Sequence, residues 1–140
     1  MSAEKKFIVE TEEAPRAIGP YSQAVGYNGM LFLSGQIGLE PDSGDLVEGG
    51  LEAEIEQVME NLESVLRAAG VNFSHVIRTT IYLDDMGDFE TVNEIYGSYF
   101  DANPPARATV EVSELPRGAS VEVDLVAARP PIEEEAEREE

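Results

Sequence analysis

The run "RATVEVSELPRGASVEVDLVAA" (107–128) holds two strand-like segments, 107–113 and 120–128. Residues two apart along a strand share a face. In the second segment Val121, Val123 and Leu125 share one side, and Glu122 and Asp124 share the other. In the first, Val110 and Val112 oppose Arg107, Thr109 and Glu111. Alternation of this kind marks a sheet with helices on its apolar face alone. If the valines meet the helices, Arg107, Glu122 and Asp124 project together from the uncovered face. Such a face favours association with further copies of the chain.

The rest of the chain supplies the helices and the remaining strands. In "GLEAEIEQVMENLESVLRAAG" (50–70) Leu51, Ile55, Val58, Met59, Leu62, Val65, Leu66 and Ala69 recur at spacings of three and four, with acids opposite. Gly70 is placed to cap that helix at its C-terminus. In "DFETVNEIYGSYFD" (88–101) Asp88 is the expected N-cap, and Phe89, Val92, Ile95, Tyr96, Tyr99 and Phe100 form a second stripe. Further strand-like runs cover 6–10, 22–28, 30–36 and 75–83, and Asn28-Gly29 between two of them signals a type I′ hairpin. The order, a β-hairpin followed by α, β, α, β and β, predicts an α+β or α/β sandwich with two helices on one face of a sheet, and α+β is the class adopted.

Composition narrows the function. The 140 residues include 29 acidic and nine basic ones, for a formal net charge of −20. Nucleic-acid and anionic-membrane affinity are built on clustered Lys and Arg, so neither is an expected partner. Cysteine is absent and His75 is the single histidine, which leaves no thiolate or multi-histidine metal site. No apolar run approaches the roughly 18 residues of a membrane span. The segment "MSAEKKFIVE" (1–10) lacks the apolar stretch of a signal peptide, so a cytoplasmic address is expected. Residues 1–129 read as one domain. Residues 130–140, with six acids, read as a disordered tail dispensable for chemistry. An acidic, lysine-poor surface fits a chain working in high salt; it equally fits an ordinary, very soluble one.

Among polar residues Arg107 stands out, because a guanidinium offers a planar fork matched to a carboxylate. The plain alternative is a surface arginine paired with one of many nearby acids. Glu122 could act as a general base or orient a water if partly desolvated, and Asp124 competes for that role. Tyr21 could offer a ring face and a hydroxyl to a small ligand, or simply pack. Asn93 could reach a ligand or cap a turn. Ser34 and Gly35, in "LSGQ" (33–36), end a strand in small residues that permit close backbone approach. No phosphate-cradling glycine motif is present, and His75 has no triad companions.

Four segments taken together resemble the RidA family (YjgF/YER057c/UK114) of reactive-intermediate deaminases. They are "AIGPYSQAV" (17–25), "LFLSGQIG" (31–38), "DFETVNEIYGSYF" (88–100) and "PARATVEVSELPRGASVEVDLVA" (105–127). The resemblance implies a chorismate-mutase-like fold and a homotrimer with sites in clefts between subunits. It implies cofactor-free hydrolysis of enamine and imine intermediates such as 2-aminoacrylate and 2-iminopropanoate, giving a 2-oxo acid and ammonia. It assigns Arg107 to the substrate carboxylate, Glu122 to the attacking water, and Tyr21, Ser34, Gly35, Asn93 and Thr109 to the pocket lining. Thr109 stands where many bacterial members carry Cys, and Val123 where Ile or Met is more usual. Two other readings remain open: a non-catalytic trimeric module binding small carboxylates or acting as a chaperone, and an endoribonuclease. The −20 charge and the lone His75 count against the last.

Overall fold

In a computed structural model, residues 5–130 are described. The acidic tail expected from Pro130 onward therefore lies almost wholly outside the described residues. Six strands form one mixed sheet: β1 (Phe7–Val9), β2 (Ala24–Tyr27), β3 (Met30–Gln36), β4 (Val76–Leu83), β5 (Ala106–Glu111) and β6 (Val121–Ala128). Two helices, α1 (Leu51–Ala68) and α2 (Phe89–Gly97), cover one face. The strand order is β1-β2-β3-β6-β4-β5, antiparallel except for the β4–β5 pair. The α+β expectation holds, and the last strand of the sequence lies at the centre of the sheet.

Local chemistry explains the elements. Asn28 and Gly29 both take positive φ, 50° and 76°, as the tight β2–β3 hairpin requires. Helix α1 buries Ile55, Val58, Met59, Leu62, Val65 and Leu66 almost completely against β3 and β6. It ends at Gly70 (φ 85°), where the Gly70 N–H donates to the Arg67 carbonyl and the Val71 N–H to the Leu66 carbonyl. Asp88 does not cap α2 with its side chain. A 3₁₀ turn, Met86–Asp88, runs straight into the helix, and the Asp85 carboxylate takes the cap by accepting from the Gly87 N–H at 2.8 Å.

In β6 the parity reading is correct. Val121, Val123, Leu125 and Ala127 are buried under the helices, while Glu122 and Asp124 emerge half-buried from the open face. In β5 it is reversed. The parallel register sets Arg107 beside Thr79, Thr109 beside Ile81 and Glu111 beside Leu83, all buried helix-side neighbours. Arg107 and Thr109 therefore share the helix side, and Val110 stands on the open face at 41% exposure. The physical reason is that β5 is an edge strand. Here α2 covers the polar side of the strand, and among the described residues Val110 is left exposed, while Val112 just beyond the strand is half-buried against Ile37, Leu115 and Ala119. The open face is apolar over much of its width, with Ile8, Phe32 and Val110 exposed.

Candidate active site

Two groups of side chains result, on opposite faces. On the helix side, at the β5 edge, Arg107 reaches over α2. Its Nη1 donates to Asn93 Oδ1 at 2.6 Å. Its guanidinium carbon lies 5.2 Å from the centroid of the Tyr96 ring and 5.6 Å from that of Phe89. Tyr96 is buried, and its hydroxyl is 2.7 Å from Thr79 Oγ1. Burial pushes the Tyr96 phenol above its ordinary pKa, while Thr79 and then Arg107 pull it back. Among the described residues no carboxylate lies within ion-pair distance of Arg107, despite the acidic composition. The surface ion pair considered from the sequence is therefore not formed. Two residues on, the Thr109 hydroxyl is buried and has no hydrogen-bond partner.

On the open face Glu122 lies directly over Gly35. A Cβ at Gly35 would collide with Glu122 Oε2, so a larger residue there would push the carboxylate out of its present position. Burial raises the Glu122 carboxyl above the ordinary carboxylate value, and the neighbouring Asp124 charge adds to the rise. Asp124 Oδ2 accepts from the Tyr82 hydroxyl at 2.9 Å. Ser34 fixes the adjacent loop: its hydroxyl donates to the Ser22 carbonyl at 2.6 Å and its N–H to the Gln23 carbonyl at 3.0 Å. The exposed Tyr21 belongs to that loop, where its hydroxyl accepts a long 3.4 Å bond from the Ile18 N–H. Gln23 anchors the loop from beneath, donating to the Thr11 and Pro15 carbonyls and accepting from the Thr11 N–H.

The fold thus brings Arg107, Asn93 and Thr109 together, and separately Glu122, Gly35, Ser34 and Tyr21. Within one chain the two groups do not meet. Glu122 lies opposite Tyr82, which pairs with Val110, whereas Arg107 pairs with Thr79. The offset is three residues along the strand and two strand spacings across, about 10 Å each way, and the side chains leave opposite faces. The expectation that Arg107, Glu122 and Asp124 share the uncovered face is overturned for Arg107. A surface groove of about 820 Å³ runs past Ile8, Thr11, Arg16 and Tyr21 and is lined by neither Arg107 nor Glu122.

Phe89 and Tyr96 escaped the sequence reading because they belong to the apolar stripe of α2, where an arginine platform looks like core. Tyr82 escaped because a strand tyrosine has many uses. Its alternation with Ile81 and Leu83 was the available signal.

The model for the family described as Endoribonuclease L-PSP matches residues 11–129. This chain belongs to that family, the RidA proteins. Protein DfrA of Myxococcus xanthus is 57% identical over 121 residues, 85% of this chain and 92% of its own length. A mouse protein named 2-iminobutanoate/2-iminopropanoate deaminase is 49% identical over 131 residues, 94% of this chain and 97% of its own. The crystal structure of Escherichia coli TdcF with bound serine superposes with a TM-score of 0.84 at 36% identity, covering 89% of this chain and 99% of that one. The α+β sheet with two helices is thus a RidA fold. No helix among the described residues is long and apolar enough to cross a membrane.

Proposed function

We propose that this chain deaminates reactive 2-imino acids of the 2-iminopropanoate and 2-iminobutanoate type, and their enamine tautomers, by hydrolysis. The relatives named for that activity, which match nearly the whole chain, support the reaction class. The residue roles are our own reading. A preplaced guanidinium is the observation that carries it: in a chain of net charge −20, Arg107 has no acidic partner among the described residues, and it is exposed to an incoming anion.

Because Arg107 and Glu122 leave opposite faces, one chain cannot offer both to a small molecule. We infer a homotrimer whose sites lie between subunits, with Arg107, Asn93 and Thr109 from one copy facing Tyr21, Ser34, Gly35 and Glu122 from the next. The apolar open face supports this, since Ile8, Phe32 and Val110 would be covered by such contacts. The same reading places the protein in the cytoplasm, and it involves no nucleic acid.

The chemistry needs no cofactor, since a protonated imine carbon is already electrophilic. Arg107 takes the substrate carboxylate through its remaining N–H donors, with Nη1 tied to Asn93. Holding the imine beside a water supplies orientation, which lowers a barrier by several kcal/mol, up to about 7–11 in ideal cases. Glu122 removes a proton as the water oxygen bonds to the imine carbon, giving a carbinolamine. The proton then passes from Glu122 to nitrogen, the C–N bond breaks with its electron pair leaving on nitrogen, and the hydroxyl proton departs with the ammonia as ammonium when the carbonyl of the 2-oxo acid forms. A carboxylate with a raised pKa is suited to both transfers, which together contribute about 10²–10⁴-fold. Thr109, two residues on from Arg107, shares its side of β5, and its buried hydroxyl has no hydrogen-bond partner.

The test is a dehydratase-coupled assay of ammonia and 2-oxo acid release. The wild-type chain accelerates release and Arg107→Ala does not. Equal rates for the two would end the role given to Arg107. Binding of 2-oxobutanoate without any acceleration would favour a non-catalytic carboxylate-binding module instead.

A further inference from the structure

An arginine on an edge strand normally samples many rotamers, and its entropy opposes binding. Arg107 is held from three sides. Phe89 and Tyr96, seven residues apart on α2, both present rings within cation–π range of its guanidinium. Asn93, between them on the same helix, takes one Nη1 proton. The Tyr96 ring is itself fixed, because its hydroxyl is bonded to Thr79 Oγ1, and Thr79 is the strand partner of Arg107 in β4. The contacts thus form a loop from β5 through α2 to β4 and back. All the groups that touch the guanidinium are neutral, so they orient the cation without cancelling its charge. A carboxylate in any of these places would position Arg107 equally well and neutralise it.

We propose that Phe89 and Tyr96 are positioning residues that hold Arg107 extended and uncompensated for the substrate carboxylate, with Thr79 locking the Tyr96 ring. This rests on the reading of Arg107 as the carboxylate anchor. Neither ring touches the reacting carbon on this account. Their loss therefore weakens the grip on the carboxylate, which is held alike in ground and transition states, and it appears in KM more than in kcat. The expected factor is about two- to five-fold per ring, the range of partly exposed cation–π contacts. It is the same for pyruvate-derived and 2-oxobutanoate-derived imines, because the carboxylate is common to both.

The experiment uses the full chain and measures steady-state kinetics on both imines, together with calorimetric binding of pyruvate and 2-oxobutanoate. Phe89→Leu and Tyr96→Phe are compared with wild type and Arg107→Ala. The proposal expects Phe89→Leu to raise KM and both dissociation constants by one common factor, with kcat changed less than KM. It expects Phe89→Tyr to restore wild-type values. Tyr96→Phe, which keeps the ring and loses the lock, gives a smaller shift in the same direction. A merely structural role would lower the thermal midpoint and the active fraction while leaving KM alone, and that result overturns the proposal. So does a loss confined to the larger imine, which would make Phe89 a side-chain contact. If Arg107→Ala itself binds both 2-oxo acids as wild type does, the carboxylate anchor is wrong; normal binding by Phe89→Leu, with binding lost in Arg107→Ala, sinks the platform alone.

Discussion

Glu122 is the residue whose chemistry depends most on its neighbours. Burial and then Asp124 raise its carboxyl above 4.5, the ordinary value for this side chain. In the proposed mechanism the water-activating form is the carboxylate, so kcat/KM should fall as pH drops through that raised value. Asp124→Asn removes one negative charge and keeps an acceptor for the Tyr82 hydroxyl. The acidic limb of the pH profile should then move to lower pH, while Glu122→Gln should abolish the limb along with most of the activity. A limb unmoved in Asp124→Asn would show that Asp124 does not act on Glu122. Gly35 gives a second test. Gly35→Ala puts a methyl group where Glu122 Oε2 now sits, so the carboxylate must move. The expected outcome is a fall of about 10²-fold or more in kcat, the scale of losing a general base, with a folded chain by circular dichroism. Glu122 and Gly35 could be named from the sequence through segments 105–127 and 31–38, yet their contact could not. It depends on β3 and β6 being neighbours, and they are about 90 residues apart in the chain.

Both helices were legible from their apolar spacing, because a stripe at 3.6 residues needs only local geometry. The face on which Arg107 sits was not legible. Valine alternation identifies an apolar side, and it does not say whether a helix or another subunit covers it. In β6 the two answers coincide, whereas in β5 they differ, as Thr79 and Ile81 beside Arg107 and Thr109 show. Helix α1 carries its own testable feature. Glu52, Glu56 and Glu60 lie at successive i,i+4 positions on its exposed face, and like charges so spaced destabilise a helix by about 0.2–0.5 kcal/mol per pair. Glu56→Lys turns both repulsions into attractions. It should stabilise the chain by about 1 kcal/mol at low ionic strength, or roughly 3 °C in Tm. The gain should disappear in 1 M salt, where the screening length is about 3 Å. Thermal melts at both salt concentrations check it, and a salt-independent gain would point to packing instead.

At the scale of the whole molecule, a polar group of candidate site residues sits on each side of one sheet, and the open face is apolar over much of its width. If the proposed role of Arg107 holds, the net charge of −20 repels a carboxylate substrate until it meets that guanidinium. The sequence could suggest an oligomer from an uncovered face, but it placed both half-sites on that one face. On the reading proposed above, a second copy brings Glu122 to Arg107, since within one chain the two leave opposite faces. Complementation between two inactive variants tests this most directly. Arg107→Ala and Glu122→Gln, each inactive alone, are unfolded together, refolded in equal amounts and assayed on the imine. If each site takes Arg107 from one copy and Glu122 from the next, every mixed trimer holds one intact site, and the mixture recovers about a quarter of wild-type activity. Recovery near that level is the predicted result; a mixture as inactive as its components, with mixed trimers shown to be present by native mass spectrometry, would contradict it.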